Sequence, residues 1–305
     1  MNEKIDINKS IDLSEIFSVL WAKKNLFIVT IFLTTVLSSL FTLSLPNKYQ
    51  STATLALTED TTGNLNSLSS QVSSLANIAG LSLTEKKADK ASIAIEIVES
   101  EDFFSQLVSD ENIFKKISAV KGWNQSKNTL IYDAKIYDGK RNKWVSDSPY
   151  SIDGKPSIQS SHVKFLKDNF SIFKDDDTGL IEITFRHFSP SVSKEILQKI
   201  ISEINFTLKD KDIKTAENSI SFLKKELETT NLGELKIAIN RLIAKQIEII
   251  ALANASPEYY FKILSSPTKP ERKFSPNRTL IVVLSCIFVF FIVSIFLLLR
   301  DLSRK

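Results

Sequence analysis

Two long apolar segments, one near each end, dominate the pattern of hydrophobic and polar positions along the chain. Residues 25–45 and residues 279–299 each span 21 residues without a charged side chain. A helix rises about 1.5 Å per residue, so about 20 apolar residues cross a hydrocarbon layer of about 30 Å. The second segment lacks the polar stripe of a soluble core helix, and the Thr and Ser hydroxyls of the first can bond to their own helix. The pattern therefore predicts two transmembrane helices.

The first apolar segment is interpreted as an uncleaved anchor. It begins 25 residues into the chain and is longer than the apolar region of a signal peptide. The residues that follow it, Leu45-Pro46-Asn47-Lys48, form a poor cleavage site.

Flanking charges predict the orientation of the two spans. Lys23 and Lys24 directly precede the first span, whereas only Lys48 lies just beyond it. Three further cations close the chain: Arg300, Arg304 and Lys305. This bias places residues 1–24 and 300–305 in the cytoplasm as short tails. Four cations before the second span oppose it: Lys269, Arg272, Lys273 and Arg278. Long translocated domains cross largely regardless of charge, and such cations can meet anionic lipid headgroups.

Alternating positions predict strands within residues 46–278, the large domain between the spans. Residues 49–57 alternate and are rich in Thr and Tyr. Residues 170–174 and 180–186 alternate on both sides of an acidic turn that ends in Gly179, which predicts a β-hairpin.

Helical spacing predicts several short helices and one long helical region. The short helices are expected at residues 65–83, 87–98, 101–120 and 157–169. Ser189-Pro190 opens the long region, about residues 190–256, with Ser as N-cap and Pro at the first helical position. Residues 229–233 are the best candidate for a break that lets the chain return to the membrane.

Residues 264–278 hold three of the eight prolines and predict a stiff, extended tether. Residues 120–160 give no clear pattern.

Motifs for catalysis, cofactors and metals are absent from the sequence. No G-x-x-x-x-G-K-[ST] loop or G-x-S-x-G elbow occurs. His162 and His187 are expected at the surface or a strand edge, and the only cysteine, Cys286, lies in the second span. The acidic run at 175–177 lacks the ligand spacing of a calcium loop. The net charge of +4 is too small and scattered to indicate a nucleic-acid partner. We therefore expect no enzyme, no cofactor and no metal site.

The proline segment resembles a known family signature. Pro267-x2-Pro270-x4-Ser275-Pro276, directly before a C-terminal span, is similar to the motif of the Wzz chain-length determinants, the polysaccharide co-polymerases of Gram-negative bacteria. Four stretches resemble that family's long-helix region: residues 219–227, 242–246, 252–254 and 258–262. Residues 170–205, the first span and Tyr49-Gln50-Ser51 fit as well.

One feature departs from the family pattern. The family usually carries glycines in the second span, whereas this span has none and offers Ser285 and Ser294 as its small residues. Since small residues permit close helix approach, we expect less intimate contact through this segment, with the first span or with other proteins.

The resemblance implies both a fold and a function. The fold would be a membrane-anchored α/β protein: two transmembrane helices flank a periplasmic domain with a small mixed sheet near the membrane and a long projecting helix. The function would be control of the modal chain length of O-antigen in lipopolysaccharide. The expected partners are further copies of the chain in a homo-oligomer, a Wzy-type polymerase, the growing lipid-linked polysaccharide and the lipids of the inner membrane. Pro267, Pro270, Ser275 and Pro276 would couple the domain to the membrane, or form no more than a stiff linker.

Three alternatives stay open at this point. An inner-membrane adaptor for capsule or exopolysaccharide polymerisation or export belongs to the same superfamily, but such relatives are usually longer and some carry a cytoplasmic kinase. The second alternative is a periplasmic sensor or structural scaffold, of which a sensor would need an output domain after the second span, where only five or six residues follow. The third is an enzyme acting on glycans, which would need an acid and a base in a cleft.

Overall fold

The computed structural model describes residues 21, 23–58 and 90–302. The chain divides into two compact units, of which one comprises residues 1–47 and 274–305 and the other residues 48–273. The helix expected at residues 65–83 lies outside the described residues.

The described elements alternate between helices and strands. The helices are α1 (Lys24–Ser44), α2 (Lys90–Val98), α3 (Glu101–Leu107), α4 (Glu111–Ser118), α5 (Ile158–Lys164), α6 (Pro190–Thr229), α7 (Gly233–Ala255) and α8 (Arg278–Leu302). The strands are β1 (Tyr49–Leu57), β2 (Val120–Asn124), β3 (Thr129–Tyr132), β4 (Tyr137–Asp138), β5 (Lys143–Trp144), β6 (Phe170–Lys174), β7 (Ile181–His187) and β8 (Phe261–Ser265). A π-helical turn, Phe165–Asn169, joins α5 to β6.

The central sheet of the larger unit has the strand order β6-β7-β1-β8. The strand expected at residues 49–57 is confirmed, as is the hairpin of β6 and β7. All three pairings are antiparallel, so the expectation of a mixed sheet is wrong. Alternation predicts which side chains share a face of the sheet, but it does not predict whether neighbouring strands run parallel or antiparallel. Only the hairpin of β6 and β7 implied an antiparallel pair from the sequence.

The acidic turn between β6 and β7 is held by its own first carboxylate. Asp175 Oδ1 accepts hydrogen bonds from the backbone N–H groups of Thr178 and Asp177, and Gly179 takes a φ of +69°. These backbone bonds hold the pKa of the Asp175 carboxyl below its usual value. The carboxylate thus has a structural role in the turn.

The core of the larger unit lies between one face of the sheet and the first half of α6. Ile181, Ile183 and Phe185 alternate along β7 and are fully buried. Seven apolar residues of α6 are buried in this core at helical spacing: Val192, Ile196, Leu197, Ile200, Ile201, Ile204 and Leu208. The apolar side chains that alternate along the strand therefore pack against those that recur at helical spacing on α6, in one apolar layer.

The helix expected over residues 101–120 is two helices, α3 and α4. Ser100 Oγ accepts from the Phe103 N–H at the start of α3, and Asp110 Oδ1 accepts from the Asn112 N–H at 2.8 Å to start α4. A side-chain acceptor of this kind satisfies an N–H that a continuous helix would have used otherwise. Because the apolar residues before and after the break are both at helical spacing, the sequence pattern does not reveal that α3 and α4 are separate helices.

The segment without a clear sequence pattern forms two small antiparallel ribbons, β2-β3 and β4-β5. Trp144 packs near Phe114 and Tyr137, with ring centroids 5.2 and 5.1 Å away. Glu111 accepts hydrogen bonds from the Trp144 indole and from Lys155 Nζ. These aromatic and polar contacts order the segment, and they leave no periodic trace in the sequence.

The long helical region begins at Pro190, as predicted, and breaks between Thr229 and Gly233. Ser189 occupies the N-cap position, although its side chain makes no capping bond. At 40 residues, α6 is about 60 Å long. The helix α7 packs along it in the returning direction.

The buried side chain of Asn205 joins α6 to the start of β8. Its Oδ1 accepts from the N–H groups of Tyr260 and Phe261 at 3.2 and 2.8 Å, and its Nδ2 donates to the Phe261 carbonyl at 3.1 Å. One amide thus supplies the hydrogen bonds that a neighbouring strand would otherwise supply.

Candidate functional site

The smaller unit is a pair of apolar helices, α1 and α8, packed against each other. Both are long and apolar enough to cross a membrane, and only 6% of each apolar window is buried within the molecule. The core helix of a soluble protein would be mostly buried, so these surfaces are exposed as lipid-facing helices would be. The expected fold class, two such helices with a mixed helical and β domain, is confirmed.

Contacts along the pair show that the helices run antiparallel. Phe27 and Phe290 lie with ring centroids 5.2 Å apart, and Thr35 Oγ1 lies 3.3 Å from Cys286 Sγ. The Thr35 hydroxyl also donates to the Ile31 carbonyl at 2.8 Å, so the Cys286 thiol is the donor between the helices. Contact between α8 and the first span is therefore present without glycine in α8, and it includes the Thr35 and Cys286 side chains.

The hydroxyls of α1 bond back to the helix, as predicted. Thr30 Oγ1 donates to the Leu26 carbonyl at 2.9 Å, Thr34 to that of Thr30 at 2.8 Å, and Ser44 to that of Phe41 at 2.7 Å. Each of these polar groups is therefore satisfied within the helix, which permits an apolar surrounding.

Arg278 caps the C-terminal end of α1, although its charge was given no weight in predicting the orientation of the spans. Its Nε donates to the Thr42 carbonyl at 3.1 Å, and its Nη2 donates to Asn47 Oδ1 at 3.1 Å. The last carbonyls of a helix lack partners within it and carry partial negative charge, so a guanidinium there is doubly favourable. At the N-terminus of α8, the side-chain oxygen of Asn277 accepts in turn from the Leu280 N–H at 3.4 Å.

Replacing Arg278 with Gln is expected to weaken the helix pair by about 1–2 kcal/mol, because charge-assisted bonds to the α1 carbonyls are lost. Arg278→Lys should retain part of the effect, since a point charge cannot form the same fork. The measurement is the SDS concentration at which helicity is lost, for the full chain in detergent micelles. Arg272→Gln, in the exposed part of the tether, is the matched control. Equal midpoints for the Arg278→Gln and Arg272→Gln variants would contradict the capping role.

The four residues of the proline motif fall into two groups. Pro267 is buried and Pro270 half-buried in the larger unit, where Ser51 Oγ of β1 donates to the carbonyl of Thr268 at 2.9 Å. Ser275 and Pro276 belong to the smaller unit and precede the cap of α8. The motif is therefore divided between the two units.

The two histidines occupy different environments. His162 is half-buried, with Nε2 2.8 Å from the Glu99 carbonyl. His187 is buried at the end of β7, which is an inner strand, so its expected place at the surface or a strand edge is wrong. Its Nε2 donates to the Lys116 carbonyl at 3.1 Å, and its Nδ1 accepts from the Ser189 N–H at 3.0 Å. Burial lowers the pKa of His187 from 6.5 to about 4. It is a neutral core residue at the end of β7, where the alternation of the strand turns it inward.

No group of three His, Cys, Asp or Glu side chains with the geometry of a metal site occurs within residues 21, 23–58 and 90–302.

Comparison with known proteins gives one family and two solved structures. Residues 9–111, about a third of the chain, match the family model "Chain length determinant protein" (Wzz). A "full-length bacterial polysaccharide co-polymerase" is 12% identical over 96% of this chain and 98% of its own, with a TM-score of 0.38. A fragment of WzzB, a polysaccharide co-polymerase from Salmonella Typhimurium, is 14% identical over 75% of this chain and 100% of its own, with a TM-score of 0.30. No curated protein sequence matches. The resemblance to the Wzz chain-length determinants is confirmed by the family match over residues 9–111.

Proposed function

We propose that this protein sets the modal chain length of a bacterial surface polysaccharide, the O-antigen of lipopolysaccharide, as a co-polymerase of a Wzy-type polymerase. The observation that carries the proposal is the match of residues 9–111 to the chain length determinant family. The proline motif before α8 lies outside that match and supports the same function independently. The protein would act by organising polymerisation and not as an enzyme.

The proposed location is the inner membrane, with residues 48–273 in the periplasm and both termini in the cytoplasm. Lys23 and Lys24 support this orientation, because cations favour the cytoplasmic side of a span. Arg278 does not argue against it. Its charge is engaged by the carbonyls of Thr42 and Leu45, so it is a helix cap and not a free cation.

The proline motif is the proposed coupling element between domain and membrane. Its two halves belong to different units, and the Ser51 hydroxyl fixes the first half to β1. A stiff segment held at both ends transmits displacement better than a flexible one. A displacement caused by contact with the polymerase or the lipid-linked polysaccharide in the membrane would then be transmitted to the domain through residues 264–278.

The test is the electrophoretic ladder of lipopolysaccharide from a strain that lacks the gene. We expect the modal cluster of bands to become an unregulated spread, and the wild-type gene to restore it. A gene that carries Pro267→Ala and Pro270→Ala should restore an altered distribution at normal protein level. An unchanged ladder on deletion would contradict O-antigen control, and would favour an adaptor for capsule or exopolysaccharide, to be measured as the surface yield of that polymer. A wild-type distribution with the double variant would leave the motif as a plain linker.

Self-assembly is a further part of the proposal. The second half of α6, the break after it and much of α7 expose large apolar side chains to solvent: Phe222, Leu232, Leu235, Ile237 and Ile247. Soluble surfaces that expose several such residues usually mark contacts with other molecules, and the family resemblance favours further copies of the chain.

Replacing Phe222 with Ser is expected to reduce the self-association of the detergent-solubilised protein at least tenfold, since an exposed aromatic ring would be buried between copies. The measurement is the concentration dependence of molar mass by light scattering. Phe173→Ser is the matched control, because Phe173 is equally exposed but lies on β6. Unchanged association of the Phe222→Ser variant would exclude this part of α6 from the contact.

A further inference from the structure

A small, partly open cavity lies beside the end of β7, within the larger unit. Its volume is about 170 Å³. Its walls come from five places in the chain: the residue before β1, the α4-β2 junction, the turn after β3, the π-helical turn with its preceding residue, and the end of β7 with the residue after it. The cavity therefore depends on tertiary structure, and no local motif encodes it.

The charged groups around this cavity are three lysines and two carboxylates. The lysines are Lys48, Lys121 and Lys164, and the carboxylates are Asp133 and Asp168. Within the described residues none of the three lysines forms an ion pair. Cations therefore exceed carboxylates by one, and each ammonium keeps donor capacity for a ligand.

The rest of the lining is mostly apolar, and it includes Asn169, whose buried Oδ1 accepts no hydrogen bond from the described residues. The ring of Phe188 and the side chains of Ile117 and Ile136 line the cavity, and Lys48 Nζ lies 5.7 Å from the centre of the Phe188 ring. Both nitrogens of the buried His187 form hydrogen bonds with the backbone, so this side chain lines the cavity as a neutral group. An apolar wall with a few placed polar groups is the usual composition of a small-molecule site.

A second, wider depression shares a wall with the first. It has a volume of about 730 Å³ and is lined by Asp133 and Ile136 together with Lys135, Ser146, Asp147 and Ser148. A molecule larger than one small unit could thus extend from the narrow cavity across Asp133 into the wider one. Hydroxyls and carboxylates line this second part, where they can bond to hydroxyl groups of a ligand.

The mixture of charges decides between ligand classes. Near neutral pH a phosphate carries more negative charge than the one surplus cation balances, and it lacks the several hydroxyl donors that could bond to the two carboxylates. A sugar hydroxyl donates to carboxylates and accepts from ammonium groups, and the carbon face of a sugar ring fits an apolar wall. The one surplus cation matches one negative charge on the ligand.

We propose that these two adjoining cavities bind a saccharide that carries a carboxylate, with the acidic residue in the narrow cavity and neighbouring residues in the wider one. The inference deepens the proposed function, on which it rests for the source of the saccharide. The residues involved lie almost entirely beyond residue 111, where the family match ends. The matched family region therefore supplies little of the proposed site, and the preference for an acidic saccharide would come from residues of this chain outside that region.

The test is a ligand-observed NMR titration of the full chain in detergent micelles. The probes are methyl β-glucuronide, methyl β-glucoside and inorganic phosphate, compared at equal ionic strength. We expect the glucuronide to bind at least tenfold more tightly than the glucoside, and phosphate not to displace it. Lys48→Gln and Lys121→Gln should each weaken glucuronide binding about tenfold, which corresponds to one charge-assisted contact.

The control variant is Lys127→Gln, which removes an exposed lysine from the β2-β3 turn without touching either cavity. Circular dichroism and the thermal midpoint establish that each variant is folded. Equal binding of glucoside and glucuronide would overturn the acidic specificity, displacement by phosphate would make this a phosphate site, and absence of all binding by the folded wild-type chain would overturn the site.

The two proposals fail separately. If the glucuronide binds but deletion leaves the polysaccharide ladder unchanged, the cavity stands and O-antigen control falls. If deletion abolishes the modal cluster but no acidic sugar binds, chain-length control stands and the inference about the cavity falls.

Discussion

Replacing Phe165 with Ala is expected to lower the free energy of unfolding of the larger unit by about 3–5 kcal/mol. The side chain is fully buried, and its ring centroid lies 5.0 Å from those of Phe104 and Phe170 and 6.2 Å from that of Phe185. Three surrounding rings cannot all move into the space left by a deleted ring, so both the transfer energy and a cavity term are lost.

The measurement is urea denaturation of the full chain in detergent, followed by circular dichroism. Phe173→Ala is the matched control, because it deletes the same ring from an exposed position on β6. We expect this control to change the free energy of unfolding by less than about 0.5 kcal/mol. Similar losses in the two variants would mean that the rings around Phe165 are not the centre of the core.

Stability is also expected to fall as the pH falls from about 6.5 to about 4, by about 3 kcal/mol from His187 alone. Burial, with the nearby charges of Lys116 and Lys48, lowers the pKa of His187 from 6.5 to about 4 in the folded chain. The unfolded chain takes up the proton first as the pH falls, which favours unfolding. The loss is complete below the folded pKa, where both states are protonated.

A His187→Gln variant separates this effect from the titration of carboxylates. Gln keeps a donor for the Lys116 carbonyl but has no charge to gain, so its stability should change less with pH over the same range. The measured quantity is the difference between the wild-type and variant free energies of unfolding at pH values of about 7, 6, 5 and 4, which bracket the two pKa values. A difference that is constant with pH would show that His187 is protonated equally in both states.

The sequence predicted those elements whose periodicity reflects burial on one face. The strand at residues 49–57 alternates because Ser51, Ala53 and Leu55 point into the core. The break near Thr229 was predictable because it combines β-branched, Asn and Gly residues, which all weaken a helix. The two apolar helices were predictable from length and composition alone.

Features that depend on contacts between distant residues could not be predicted in this way. The ribbons of residues 120–144 are ordered by Glu111, Phe114 and Lys155, which lie outside them in the sequence. The burial of His187 follows from the α4 carbonyl that it meets, 71 residues away. The direction of neighbouring strands likewise leaves no mark in the alternation of side chains.

The proposed sites show the same division. The proline motif was visible in the sequence, but its distribution over two units was not. Arg278 was noted only as a charge on the unexpected side, because its partners on α1 are more than 230 residues away. A cation directly before a second apolar span, with a polar residue soon after the first, is a pattern that could have indicated the cap.

The cap on α1 also imposes an order on biosynthesis. Arg278 follows Thr42 by 236 residues. At a synthesis rate of about 5–20 residues per second, the first helix therefore exists for about 12–47 seconds before the ribosome adds its capping side chain. During that interval the last carbonyls lack the guanidinium, and bonds to water or headgroups favour holding this end of the helix at the lipid surface. Completion of the chain to Arg278 would then supply the guanidinium, which links the end of the first helix to the start of the second.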